Sequence, residues 1–171
     1  MTQIYKKLTN SAAARWGALL IVSFTMMCGY FITDVMAPLE DLLTKAPAEG
    51  GLGWTSDEYG FFSGAYGYIN VFLLMLFFGG IILDKCGVRF TGTMSSSLML
   101  VGALIKWYAL DNSFGDAQIF GYPVQVALAA LGFAVFGMGA EITGITVTKV
   151  IAKWFTGHEL ALAMGLQVAM A

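Results

Sequence analysis

The chain has 171 residues, 58% of them hydrophobic and 12% charged, with a formal net charge of -2 and a mean hydropathy of +0.74. A soluble domain carries roughly twice that charged fraction, so the composition excludes an ordinary soluble protein and points to one embedded in lipid. Nucleic-acid binding has no support either, because the pI is about 5.2 and no basic patch occurs.

Residues 1–15 carry Lys6, Lys7 and Arg15 and read as a cytoplasmic N-terminus. A membrane span needs ~20 apolar residues, and the first run is 16–39, too long for the apolar part of a cleavable signal. A polar loop with Pro47 follows. The second helix, expected over 56–84, opens on Thr55, Ser56, Asp57 and Glu58. That order is a capping box, in which hydroxyl and carboxylate satisfy orphan N–H groups. The third helix is expected over 89–110. The fourth is expected over 123–155, with Pro123 suited to its first turn and Gly157 ending it. A fifth apolar segment begins at 159 and stops at Ala171. That is ~18 Å of helix against a hydrocarbon core of ~30 Å. The expectation is therefore an all-α, multi-pass membrane protein whose 16–171 region is an incomplete six-helix domain, with about four and a half helices.

The bases fix an expected orientation. Arg15, Lys85, Arg89, Lys149 and Lys153 fall on one side with Lys6 and Lys7. Glu40, Asp41, Glu49, Asp57, Glu58, Asp111 and Asp116 fall on the other, with Lys45 and Lys106. The positive-inside rule then puts the N-terminus in the cytoplasm, and a bacterial inner membrane is the expected location. Lys149 is expected to snorkel toward the cytoplasmic headgroups and Lys106 outward beside Asp111. Helix packing is expected through Gly60, Gly64 and Gly67 in the second helix, and through Gly137, Ala140 and Gly144 in the fourth.

Polar groups inside a span are functional candidates by default. Glu141 is the strongest, because it lies twelve residues before Lys153, or ~18 Å along a helix, near mid-membrane. Gly144 and Thr148 share its face. Its charge is tolerable only beside a wet cavity, a base or a bound cation. Asp34 follows, on a stripe with Ser23, Met27, Tyr30 and Asp41. Tyr66 and Asn70 share a face of the second helix with Ser63. Together Glu141, Asp34, Tyr30, Asn70 and Tyr66 form the expected substrate or proton site. Cys28, Cys86 and His158 have no ligand or nucleophile spacing, so no disulfide, metal, cofactor or enzymatic chemistry is expected.

Between the second and third helices stand Gly80, Asp84, Lys85, Gly87 and Arg89. So dense a charge cluster at a membrane hairpin suits a gating latch, with Gly87 permitting the turn and Asp84 accepting from Arg89 or from a neighbouring helix N-terminus. The order Gly-x-x-x-Asp-Lys-x-Gly-x-Arg resembles the signature loop of major facilitator superfamily transporters, although Thr91 stands where that pattern usually has a further base. Two more stretches, Tyr30 to Asp34 and the string Trp154-Phe155-x-Gly157-x-Glu159-Leu160, together with Gly139-Ala140-Glu141, resemble the lysosomal dipeptide transporter branch. The resemblance implies an alternating-access transporter of a small solute, either a dipeptide or another zwitterionic or anionic metabolite, working with a C-terminal half outside this chain in a lipid bilayer. It further implies that Glu141 binds a peptide amino group, and proton symport through Glu141 is the associated expectation. The alternative is a small oligomeric membrane protein, a channel subunit or scaffold, without transport activity of its own.

Overall fold

The structure is a computed structural model describing residues 11–115 and 117–170. Lys6, Lys7, Asp116, Ala171 and most of the expected N-terminal stretch 1–15 lie outside the described residues. The order is α1 (Ala12–Asp34), α2 (Glu40–Thr44), a 3-10 turn (Pro47–Glu49), α3 (Ser56–Phe72), α4 (Met75–Asp111), a hairpin of β1 (Gln118–Ile119) and β2 (Tyr122–Pro123), α5 (Val124–Phe155) and α6 (Leu160–Met170). Of these, α1, α4 and α5 are long and apolar enough to cross a membrane.

Several boundaries differ from expectation. α1 ends at Asp34, not at 39, and turns occupy 35–39. Pro38 has no N–H to give and biases Ala37 away from the helical region. The capping box forms as read: the Glu58 N–H reaches Thr55 Oγ1 at 3.2 Å, and the Thr55 N–H reaches Glu58 Oε2 at 2.7 Å. The helix it starts does not run to 84, however. It breaks after Phe72, with Leu74 in the left-handed region at φ 49°. The residues there are all apolar, with no Pro or Gly to announce a break. Pro123 lies in β2 and flanks α5 instead of opening its first turn.

α4 contains two opposed segments. Gly79 faces Ile142 and Asp84 meets Lys149, whereas Gly92 faces Thr146 and Gly102 faces Gly132. The chain therefore descends along α5, reverses at Gly87 (φ 81°, ψ 170°) and climbs back. Only glycine adopts that backbone without strain. α3 and the first part of α4 together form the second crossing in two pieces, running from Trp54, whose indole donates to Gln125 Oε1 at 3.2 Å, to Asp84. α1 runs opposite to α5, with Leu19 packed near Ile151 and Met26 near Gly144. Arg15, Lys85, Arg89, Lys149 and Lys153 therefore gather at one end of the bundle.

α5 is the central helix and carries most of the core. Toward its start Trp54, Phe62, Ala129, Phe133 and Phe136 pack together; toward its end Leu19, Met26, Val147, Ile151 and Phe155 do so. Close approach is made by other glycines than expected. A methyl group at Gly102 would overlap the backbone of Gly132 and Phe136, and one at Gly139 would meet Ser95 and Met99. Gly137 lies against the Tyr66 backbone as expected, but Gly60 and Gly67 have nothing near them. Glycines three or four apart mark a small-residue face; whether another helix covers that face depends on tertiary packing.

Candidate functional site

The site is built where α3 crosses α5. Gly137 has no side chain, so the Tyr66 backbone can settle against α5. The Tyr66 ring then lies 5.5 Å from that of Phe133, and its hydroxyl donates to Glu141 Oε1 at 2.9 Å. Glu141 is half-buried one helical turn further along. A phenol is a neutral donor, so this bond orients the carboxylate without cancelling its charge. Glu141 forms no ion pair with a base among the described residues: Lys149 is engaged by Asp84, and Lys106, on α4, lies over the rings of Phe133 and Phe136.

The other expected site residues are placed unevenly. Tyr30 is half-buried on α1, within electrostatic reach of Glu141 and Asp34. It borders a small void of about 10 Å³ with Gly29, Met99, Ala140 and Thr143. Asp34 is exposed at the last turn of α1. Asn70 donates through Nδ2 to the Tyr66 carbonyl at 3.1 Å, and its buried Oδ1 has no partner among the described residues. The stripe on α1 does not hold together as one face, since Ser23 is fully buried while Met27 is exposed.

The charged turn is arranged differently from its sequence expectation. Asp84 does not take Arg89. Its Oδ1 lies 2.5 Å from Lys149 Nζ, and that ammonium also reaches the Leu83 carbonyl at 3.4 Å. The pair is exposed, with side chains 36% and 78% accessible. Lys149 thus turns to the loop instead of snorkelling, because an acid is within its reach. Lys85 and Arg89 are exposed, and Gly80 has open space where a side chain would stand. A second cross-link at this end joins Arg15 on α1 to Glu159 before α6, at 3.8 Å.

Sequence reasoning missed the surroundings of Lys106. It is 6% exposed, not snorkelled toward Asp111. Its Nζ has no hydrogen-bond partner among the described residues and stands 4.8 Å and 5.5 Å from the ring centres of Phe133 and Phe136. The signal was present in Gly102, four residues earlier, which brings this face of α4 flush against α5 and leaves the side chain no route out. A second interhelical contact was also missed: Thr143 Oγ1 lies 2.9 Å from Ser95 Oγ, buried between α5 and α4.

Long apolar helices packed through glycine contacts define a multi-pass integral membrane protein. The chain belongs to the Major Facilitator Superfamily, whose family model matches residues 19–171. Among curated proteins it is similar to the cattle (Bos taurus) lysosomal dipeptide transporter MFSD1, at 28% identity over 93% of this chain and 30% of that protein. The human protein of the same name is 27% identical over the same shares. The zebrafish (Danio rerio) protein of that name is 35% identical over 62% of this chain and 20% of its own length. The chain thus spans about 30% of the length of the first of these relatives. These relatives are animal proteins named as lysosomal, and lend nothing to the expected bacterial inner membrane. No solved structure matches the chain.

Proposed function

We propose that the chain is the N-terminal part of a transporter that moves a small solute across the membrane by alternating access, and that Glu141 receives the solute's ammonium group. One observation carries this: the Glu141 carboxylate is held in place by a neutral hydroxyl and has no cation partner among the described residues. A carboxylate inside a span is retained where a cation or water meets it. A free α-amino group supplies that cation and donates up to three hydrogen bonds. Dipeptides are the favoured solute class, on the strength of the relatives' names and of a carboxylate suited to an amino terminus. The solute's own carboxylate would then meet a base supplied by the remainder of the transporter.

The same geometry favours a second role. A carboxylate that must be neutralised whenever the solute is absent can take a proton instead, which would make Glu141 the coupling group of a proton symporter. Asp84, Lys149 and the Gly87 turn form the gating latch of this proposal, closing one end of the second crossing while Tyr66 and Glu141 fix its middle.

The test is uptake of labelled dipeptide by the full-length protein in liposomes. Glu141→Gln keeps the shape and the Tyr66 contact but removes the charge. The expected result is uptake reduced by tenfold or more, about 1.4 kcal/mol or beyond, with protein level unchanged. Wild-type uptake by this variant would overturn the assignment.

A further inference from the structure

Between Tyr66 and Gly79 the second crossing carries more chain than α5 does beside it. Toward the start of α5 the two helices run residue for residue. Trp54 meets Gln125, Phe62 stacks on Phe133 with ring centres 5.1 Å apart, and the Tyr66 backbone lies against Gly137. Further along, the register has slipped: Gly79 faces Ile142 and Ile145, and Asp84 meets Lys149. The thirteen residues from Tyr66 to Gly79 thus accompany only the five to eight from Gly137 to Ile142 or Ile145. A straight helix of that length is ~20 Å long, against ~8–12 Å between the matching points on α5, so it cannot touch both. The surplus bows away from α5 at the break, where Val71, Phe72, Leu73 and Leu74 are all exposed.

Nothing local asks for this break. Tyr68 to Phe78 contains no Gly or Pro, and Leu and Met are strong helix formers. At φ 49° the Leu74 side chain is crowded against its own carbonyl. The N–H groups of Phe77 and Phe78 both donate to the Leu74 carbonyl, at 2.9 Å and 3.2 Å, while the last carbonyls of α3 lose their helical partners. Such backbone is costly at membrane depth. The contacts on either side therefore impose the break. We infer that Leu73 and Leu74 form a hinge whose straightening opens the base-rich end: α3 and the first part of α4 join into one helix, and Asp84 leaves Lys149. The contact at Tyr66 holds, because it combines backbone seated at Gly137 with a half-buried hydrogen bond. The contact at Asp84 yields, because its ion pair is exposed and such pairs are weak. The hinge lies between the levels of Gly137 and Ile142, beside Glu141, so events at the site reach the end of the bundle through it. The inference deepens the gating role proposed for Asp84 and Lys149 and rests on it.

The experiment places spin labels on Gly60→Cys and Gly80→Cys in the full-length protein, with its other cysteines replaced. No atom of the described residues lies within 4 Å of a side chain added at either position. Distances are read by double electron–electron resonance in nanodiscs, without solute. A continuous helix sets the two positions ~30 Å apart, and the broken form brings them to roughly 20 Å. Both distances are expected. Asp84→Asn should raise the ratio of long to short by up to about fivefold, and Lys149→Gln should do the same from the other partner, should the first variant fail to fold. Leu74→Gly, which relieves the left-handed turn, should lower the ratio by about fivefold or more. Distances that no variant moves would overturn the inference, whether one is seen or two. So would a shift of Asp84→Asn and Leu74→Gly in the same direction. Opposite shifts support the hinge even where uptake proves independent of Glu141, and then only the transport assignment falls. Fixed distances beside Glu141-dependent uptake remove the hinge alone.

Discussion

Two of the contacts that the second crossing makes with α5 are opposite in their chemistry. Near the middle, Tyr66 gives Glu141 a neutral hydrogen bond at 2.9 Å, and no base pairs with the carboxylate among the described residues. At the base-rich end, Asp84 and Lys149 are 2.5 Å apart and cancel one another. The first contact is half-buried and incomplete, while the second is complete and largely exposed. An incomplete buried contact has a use for a ligand; a complete exposed one is cheap to break and remake, since surface pairs contribute only about 0–1 kcal/mol. Between them the helix is interrupted at Leu73 and Leu74, so the two contacts sit on separate rigid pieces.

The largest expected effect comes from the contact that both pieces depend on, the seating of helices against α5. Gly102→Leu would drive a side chain into the backbone of Gly132 and Phe136. Overpacking of this kind costs at least about 1–3 kcal/mol, and the variant should lose its cooperative thermal transition in detergent. Gly67→Ala, with nothing nearby, should leave the transition in place. Equal outcomes for the two would mean that the α4–α5 crossing does not support the bundle.

Next in size is the middle contact itself. Tyr66→Phe leaves the ring against Phe133 but deprives the carboxylate of its donor. Hydrogen bonds to charged groups contribute about 1.5–3 kcal/mol, so solute affinity should fall by roughly tenfold or more, with smaller change in stability. An unchanged affinity would separate Tyr66 from the site.

Lys106 sharpens the comparison from the other side, as a buried side chain whose ammonium meets two aromatic faces and no hydrogen-bond partner among the described residues. Burying an unpaired ammonium costs more than a cation–π contact of about 2 kcal/mol returns. Lys106→Met should therefore leave the melting temperature unchanged or raise it. A marked fall would show that the ammonium has a stabilising partner, and that Glu141 is not the only charge awaiting one. The smallest effect on stability is expected for Asp84→Asn, within about 1 kcal/mol. Cysteine accessibility at the two ends of the bundle should nonetheless shift in this variant, and an unchanged labelling pattern would remove Asp84 from gating.

Much of the fold was legible because its signals are local. The capping box at Thr55 and Glu58, the reversal at Gly87 and the long apolar run of α5 each depend on residues close together in sequence. Glu141 was legible for a similar reason, since an acid amid apolar neighbours stands out by itself. What could not be read was set by partners on other helices. Nothing near Asp84 in sequence says that Lys149, rather than Arg89, will meet it. Nothing near Lys106 says that Phe133 and Phe136 will close over it. Gly60 and Gly67 carry the same small-residue signal as Gly102 and Gly132, yet only the latter pair lies at a crossing. The break at Leu73 and Leu74 leaves no trace in an all-apolar run.

The measurement closest to the central claim is binding of a dipeptide and of its N-acetylated form to the full-length protein, each compared with Glu141→Gln. Acetylation removes the ammonium and leaves the rest of the solute intact. The account predicts that the wild-type protein prefers the free amine by about a hundredfold, near 2.7 kcal/mol, and that Glu141→Gln nearly abolishes the preference. Equal binding of the two ligands by the wild-type protein, or the same preference in the variant, would contradict it.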